Sequence, residues 1–409
     1  MGDSKKPSVD QSLVEKTVFY PQEAPARVAE GKKSLTIGIP KEIELQENRI
    51  CLTPGSVGAL IANGHQILIE SGAGDGANYQ DHLYSDNGAQ IVYSNKEVLE
   101  ADIVLKVEPP TLEEIEYLSP RATLISALQF SQTKEQYLKA LQKRKITSIA
   151  FELLEDKGGL KPIIRSMSEI ASNCIISIAG EYLSNANGGM GVVFGGVTGV
   201  PPLKVVILGA GTIGENVARA AKALGAEVCI FDNHHYKLRR LKKDIGDQFY
   251  TSMIDPYTLA DELIDADVVV GALRSDEGSS ICVVTEEMIA NMKPSSLIID
   301  ASISQGGCFE TSNITTHDEP TYTKHGVIHY CVPNIASRVA RTATRSLSYL
   351  FTPMINQISK YGGIEGMMYN KSWFMKGVYT HSGYVTNQAL ADKYNCQFKD
   401  LSLLMAAER

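Results

Sequence analysis

Between Val205 and Asp232 the chain reads VVILGAGTIGENVARAAKALGAEVCIFD. The apolar run Val205 to Leu208 feeds into Gly209-Ala210-Gly211-Thr212-Ile213-Gly214, an alanine-rich helical pattern follows, and a second apolar run ends at Asp232. Strand, turn, helix and strand thus carry glycines at the spacing of a dinucleotide fingerprint. Gly209 permits the tight turn, Gly211 lets a pyrophosphate approach the backbone, and Gly214 lets the helix pack close to the strand. The new helix points its free N–H groups and positive dipole end at the phosphates. Asp232 lies 18 residues beyond Gly214, where a carboxylate can bind both ribose hydroxyls. A turn with glycines only for packing would explain neither the acid nor all three glycines. Asp232 also argues for NAD over NADP, since it repels a 2′-phosphate; Lys237, Arg239 and Arg240 nearby weaken that preference.

The 409 residues are enough for two domains of ordinary size. A hydrophobic content of 44% with 21% charged residues is that of a soluble globular protein. The net charge of −8 gives no nucleic-acid footprint, and no apolar stretch is long enough to cross a membrane. Seven scattered cysteines without a CxxC read as buried thiols in a reducing cytoplasm, with no disulfide and no zinc site. Residues 1–34 are polar and mixed in charge and read as an N-terminal arm, with a short ordered piece at Val18-Phe19-Tyr20.

Strands are expected at 35–40, 66–70, 102–107, 123–128 and 146–151, with a helix over 133–143. Thr53-Pro54 has the form of an N-cap followed by a first helical proline. The glycine-rich 71–79 stretch lacks a closing Lys-Ser/Thr and is no P-loop. Strands alternating with helices imply a parallel sheet. Ser168 is expected to cap a long helix that closes near Asn187-Gly188-Gly189 and carries the chain between domains. After Asp232, apolar runs near 248–252, 267–271, 296–300 and 327–331 complete about six strands, which suits two mononucleotide halves. Their carboxyl ends, where ligands bind in such sheets, carry Ala272-Leu273, Ala301 to Gln305 (with Ile303 and Ser304) and Val332-Pro333-Asn334. A second long helix is expected from Ser337 to about Tyr361. The fold class is therefore α/β with two domains. A Rossmann NAD-binding domain (166–339) is inserted in a second parallel α/β substrate domain (35–165 and 340–409), and long helices join them.

Several stretches now add up. GIPKE, ENR and LTP within 38–54, GAG at 72–74, LKV at 105–107, MSEIA at 167–171, GAGTIG, SQGGCFE at 304–310 and HYCVPNIASRVARTAT at 329–344 resemble the alanine dehydrogenase family. That family also includes the nucleotide-binding subunit of proton-translocating transhydrogenase. The resemblance covers roughly residues 35–395. It implies an NAD site in a cleft between two domains, a homo-oligomer that is often a hexamer, and a small amino-acid or keto-acid substrate. The glycines, Asp232 with neighbouring Asn233, Lys237, Ser168 and the Val332–Ile335 segment match the family's cofactor side. On the chemical side Arg49 falls on the arginine that holds the substrate carboxylate, a planar fork suited to that group. The family's second substrate-holding residue, a lysine, is Glu108 here. Its catalytic histidine falls on Gln129, and the aspartate next to the nicotinamide falls on Ser304.

Those departures bear on the chemistry. Oxidative deamination needs a group that takes a proton near neutrality, and histidine is the usual choice. Glutamine positions water but accepts no proton. Glu108 is open to two functional readings, a replacement base or a clamp for an amino group. Lys106, two residues back on the same strand face, could pair with it as an ordinary ion pair at a strand end. His325 and His329 read as structural, although His329 could face the site. His234 and His235 read as solvated near the adenosine ribose. Cys308 reads as a small buried residue, and Arg338, Arg341 and Arg345 as a solvated or oligomer-contact face.

The first functional expectation is an NAD-linked oxidoreductase that converts L-alanine, NAD and water to pyruvate, ammonium and NADH. An NAD(H)-binding sensor on the same scaffold is the second, because the cofactor residues are retained and the chemical ones altered. Hydride transfer between nucleotides is the third; EDKGGLKPIIR, before MSEIA, lacks the Arg/Gln/Asp pattern of the transhydrogenase loop.

Overall fold

The computed structural model describes residues 32–44, 46–128, 135–156, 158–246, 249–274 and 282–407. The ordered piece expected at Val18-Phe19-Tyr20 and the site position Gln129 lie outside the described residues.

Six parallel strands build the first sheet: β1 (Thr36–Ile39), β2 (Gln66–Glu70), β3 (Gln90–Val92), β4 (Ile103–Leu105), β5 (Thr123–Ser126) and β6 (Thr147–Ala150). The second sheet holds β7 (Lys204–Leu208), β8 (Glu227–Asp232), β9 (Tyr250–Met253), β10 (Val268–Gly271), β11 (Leu297–Asp300), β12 (Thr321–Lys324) and β13 (Val327–Tyr330). From the carboxy-terminal segment come β14 (Val378–His381) and β15 (Tyr384–Val385). The sheet orders are β15-β14-β6-β5-β4-β1-β2-β3 and β12-β13-β11-β10-β7-β8-β9. Both are doubly wound, with the order reversing between β1 and β4 in one and between β7 and β10 in the other. β4, β5, β6, β10 and β11 are buried on both faces, as parallel strands covered by helices on each side must be.

Each sheet also gains an antiparallel edge that the apolar runs did not announce. β12 pairs antiparallel with β13, and β14 pairs antiparallel with β6 and with β15. β3 is only three residues long and too short to register as a run.

The first connecting helix corrects a sequence expectation. It runs Pro162–Tyr182, with the proline in its first turn, so Ser168 is interior and caps nothing. The carbonyl of Ser168 accepts the Ser172 hydroxyl at 2.6 Å. The polar Ser168-Glu169 pair imitated a start, whereas Pro162, with no N–H to satisfy, is the residue that suits one. Ile163 packs into the core of the first sheet, whereas Ala171, Cys174, Ile175 and Ile178 pack into that of the second. The second connecting helix, Ala340–Lys360, returns to the first core through Leu347, Phe351, Ile355 and Ile358. Ser166 and Ser346 hydrogen-bond the two helices to each other.

The segment between β1 and the helix Pro54–Ala62 hangs on hydroxyls. The backbone N–H groups of Asn48, Ile50 and Thr53 donate to Ser337 Oγ (2.8 Å), Thr344 Oγ1 (3.0 Å) and Ser348 Oγ (3.0 Å). Thr53 in turn caps its helix, accepting from Ser56 N. A run of irregular backbone thereby satisfies its donors without a strand partner.

Candidate active site

At the fingerprint, Gly209 has φ +113° and an added Cβ would lie 2.5 Å from Ala272 O. A Cβ on Gly214 would lie 1.8 Å from Gly209 O, whereas one on Gly211 would meet nothing within 4 Å. The space over Gly211 and the start of the helix Thr212–Ala223 are therefore open on the side where phosphates bind. Asp232 is 2% exposed and accepts the N–H of Ala210 (2.7 Å) on one oxygen and of His234 (2.7 Å) on the other. It fixes the glycine turn and retains lone pairs for a ribose. Arg240 donates to Ala210 O at 3.1 Å, so its charge is tied to the turn. Asn233 is exposed beside it, and Lys237 is half-buried in the first turn of the following helix.

Around the carboxyl ends of β10 and β11, Asp300 organises the loop that contains Ile303 and Ser304. Its carboxylate accepts Ser302 N (3.0 Å), Cys308 N (3.0 Å) and Ser312 Oγ (2.6 Å). Burial pushes its carboxyl up from the ordinary value, against the pull of those donors. Ser302 Oγ donates to Leu273 O at 2.6 Å, joining this loop to the Ala272-Leu273 end of β10. Ile303 and Leu273 are buried and Ser304 is half-buried.

The switch point between β1 and β4 carries a compact charge cluster. Arg49 donates Nε (2.7 Å) and Nη2 (2.6 Å) to the two oxygens of Glu47, and Nη2 also reaches Glu108 Oε1 at 3.2 Å. Its Nη1 lies 3.6 Å from Met167 Sδ, on the first connecting helix. Lys106 Nζ sits between Glu114 (3.1 Å) and Glu42 (3.4 Å). Glu42 also accepts the N–H groups of Val107 (2.6 Å) and Glu108 (3.4 Å). The Lys106–Glu108 pairing expected from strand alternation is thus corrected. β4 ends at Leu105, so the period of two no longer governs residues 106–108, and Lys106 pairs with Glu42 and Glu114.

This cluster sets four carboxyl groups against two cations. Burial pushes Glu42 up to about 7, with Lys106 opposing. Burial likewise pushes Glu108 up to about 8, against the attraction of Arg49 and helped by repulsion from Glu47 and Glu42. Glu47 is equally buried, but the charge and hydrogen bonds of Arg49, with that of Asn334, outweigh burial and bring it down to about 2. Burial thus raises Glu42 and Glu108 toward the neutral range while Glu47 remains ionised beside Arg49.

The two sheets meet over this cluster. Asn334, beyond β13, donates Nδ2 to Glu47 Oε2 at 3.2 Å. Arg49, Glu108 and Asn334 are thus brought together, whereas the other residues set aside in the sequence lie elsewhere. His329 is fully buried, bonded to Thr311 Oγ1 (2.7 Å) and Val327 O (3.0 Å), and stacked on Tyr322. His325 pairs with Glu286 at 2.6 Å. His234 pairs with Asp232 at 3.2 Å. Arg338 is taken by Glu181, and Arg341 donates to Asn78 O (2.7 Å) over the Tyr79 ring, so these two are intramolecular contacts. Glu42, Glu47 and Glu114 escaped the sequence reading; for the first two the density of acids in KEIELQENR, just past a strand end, was the available signal. Among the described residues no group of His, Cys, Asp and Glu could hold a metal ion, and no helix is long and apolar enough to cross a membrane.

Comparison with known proteins agrees across the chain. Residues 38–171 match the family model "Alanine dehydrogenase/PNT, N-terminal domain", and residues 175–388 match "Alanine dehydrogenase/PNT, C-terminal domain". The alanine dehydrogenase of Bacillus subtilis (strain 168) is 39% identical over 358 residues, 87% of this chain and 94% of that protein. Alanine dehydrogenase 2 of Staphylococcus aureus (strain N315) is 38% identical over 368 residues, 90% of this chain and 98% of that protein. A solved L-alanine dehydrogenase superposes with a TM-score of 0.81 at 32% identity, covering 88% of this chain and 99% of that one. A transhydrogenase from Sinorhizobium meliloti, at 22% identity and a TM-score of 0.70 over 87% of this chain and 99% of its own, shares the fold.

Proposed function

The chain belongs to the alanine dehydrogenase/PNT family, and from that premise we propose an NAD-dependent amino-acid dehydrogenase with an altered proton-handling site. The proposed reaction is L-alanine, NAD and water to pyruvate, ammonium and NADH, or its counterpart on a closely related small amino acid. We assign residues 35–165 with 340–409 to the substrate domain and 166–339 to the cofactor domain.

One observation carries the proposal. Arg49, a guanidinium at the β1/β4 switch point, is buried and meets a residue of the other sheet's carboxyl end through Glu47. Ligands of doubly wound sheets bind at such points. The fingerprint fits a dinucleotide: Gly211 leaves open space, Gly214 and Gly209 leave none, and Asp232 holds the turn. When bound there, NAD supplies the hydride acceptor. Ser168, Ala272, Leu273, Ile303 and Asn334 line the proposed cleft with the fingerprint residues.

Arg49 holds the substrate carboxylate with the end of its fork, the side that Glu47 leaves to Nη1 and Nη2. Glu108 takes and returns the proton. Burial gives it an affinity close to that of the histidine the family uses, so it exchanges protons at neutral pH where an ordinary carboxyl would not. Ser304, half-buried in the loop that Asp300 organises, would bring no charge to the nicotinamide.

The test is NADH oxidation by the purified protein with pyruvate and ammonium, repeated over a panel of 2-oxo acids. Turnover that fails on replacing Glu108 by Gln supports the assignment. NADH binding without turnover of any panel member would sink it in favour of a cofactor-sensing protein. Arg49's existing contacts with Glu47 and Glu108 favour that second reading.

A further inference from the structure

Three consecutive residues of the first sheet's β1 loop grip the second sheet's carboxyl-end loops. Gln46 Oε1 accepts the N–H groups of His317 (2.7 Å) and Asp318 (3.2 Å), and its amide donates to the Asp318 carboxylate. Glu47 accepts from Asn334 at 3.2 Å, and Asn48 N donates to Ser337 Oγ at 2.8 Å. Gln46 adopts φ +53°, a left-handed conformation that a residue with a side chain rarely takes. Such a conformation persists where its surroundings over-determine it, and here the surroundings are the grip on the other sheet.

We propose that Glu47 is a positioning residue that, through Asn334, makes the carboxylate-binding setting of Arg49 depend on the cofactor-bearing sheet. This rests on the reading of Arg49 as the carboxylate holder given above. Glu47 engages Arg49 from the side, through Nε and Nη2, and also accepts the Arg49 backbone N–H at 2.8 Å. Side chain and main chain are thus locked together, and the guanidinium can face only one way. What remains is the end of the fork, toward Met167 and Glu108. The Glu47 side chain is fully buried, and beyond Arg49 it hydrogen-bonds to Asn334 across the two sheets and to Glu108 within the cluster. Asn334 in turn bonds His317, the residue held by Gln46. A ligand that settles the loop after β13 therefore settles Glu47, and with it the fork. Coupling of this kind is reciprocal and typically amounts to about 5–150-fold in affinity.

The test is calorimetric titration of the full chain with pyruvate, with and without saturating NADH, for wild type, Glu47→Gln and Asn334→Ala. The ratio of the two pyruvate affinities is the readout, because a merely structural role would weaken both equally. We expect NADH to tighten pyruvate binding about tenfold or more in wild type and the ratio to fall to within about twofold in both variants. Asn334→Ala truncates a single hydrogen bond to Glu47 and keeps the test available where Glu47→Gln fails to fold. A wild-type ratio near one, or an undiminished ratio in Asn334→Ala, would overturn the coupling while leaving the dehydrogenase proposal standing. Absence of binding to NADH-loaded wild type by pyruvate and by every other 2-oxo acid of the panel would overturn both.

Discussion

Glu108 Oε1 lies 3.2 Å from Arg49 Nη2, the same nitrogen that donates to Glu47 Oε2 at 2.6 Å. The carboxylate of a substrate held by the end of that fork would come to the same place. Glu108 is therefore a competitor for Arg49 when ionised and a neutral neighbour when protonated, and several measurements depend on which it is.

Arg49→Lys keeps the charge beside Glu47 but replaces the fork with a single ammonium. Charge-assisted hydrogen bonds contribute about 1.5–3 kcal/mol each, so KM for the 2-oxo acid should rise about 10–100-fold with NADH binding unchanged. Arg49→Ala is the poorer probe, since stripping one partner from a buried pair costs about 3–5 kcal/mol in stability. Steady-state kinetics that return a wild-type KM for Arg49→Lys would remove Arg49 from the substrate site.

The pH dependence of stability has a definite sign. Unfolded, Glu108 loses its proton around the ordinary value of 4.5, whereas folded it keeps it to about 8. Between those limits the unfolded chain is the more ionised, so raising the pH favours unfolding, with Glu42 adding to the trend up to about 7. Glu108→Gln removes one of the two contributions. Its melting temperature should gain on wild type as the pH is raised from 5 to 8, by at least about 2 °C. Parallel melting curves across that range would show that Glu108 is not held protonated.

Pyruvate affinity should respond to the sign of the side chain at 108. Glu108→Lys places a second cation beside Arg49 where an ionisable carboxyl stood. With NADH present, we expect it to bind pyruvate about tenfold more tightly, the gain of one charge-assisted contact. Weaker binding in a folded Glu108→Lys protein would mean that position 108 does not face the substrate.

Gly214→Ala tests the cofactor turn. The new Cβ would lie 1.8 Å from Gly209 O, and both atoms belong to rigid backbone. Overpacking of this kind costs about 1–3 kcal/mol, and relief must come from moving the phosphate-facing turn. A fluorescence titration should register NADH affinity at least about tenfold weaker, and unaltered affinity would place the dinucleotide elsewhere.

Much of the scaffold was legible because buried parallel strands leave unbroken apolar runs, as at Val268–Gly271 and Leu297–Asp300. The antiparallel additions were not, because β12 and β15 lie on edges and are only partly buried. Ser168 misled because a polar pair inside a helix looks like a start when only its neighbours are read. The charge cluster was hidden for a different reason. Glu42, Glu47, Lys106 and Glu114 lie far apart in sequence or in polar stretches that read as solvated turns, and only the reversal of strand order between β1 and β4 joins them. Arg49 and Glu108 were visible through family resemblance, but the identity of Arg49's principal partner was not.

The two connecting helices have a mechanical consequence. The chain crosses between the sheets once through Pro162–Tyr182 and once through Ala340–Lys360, and Ser166 and Ser346 tie the crossings side by side. One tether would leave a domain free to swivel about any direction. Two tethers fastened together restrict the ways in which the body of one sheet can turn against the other. The bonds from Gln46, Glu47 and Asn48 to the second sheet's loops are separate from those tethers, so any parting of the two sheets at that point must break them.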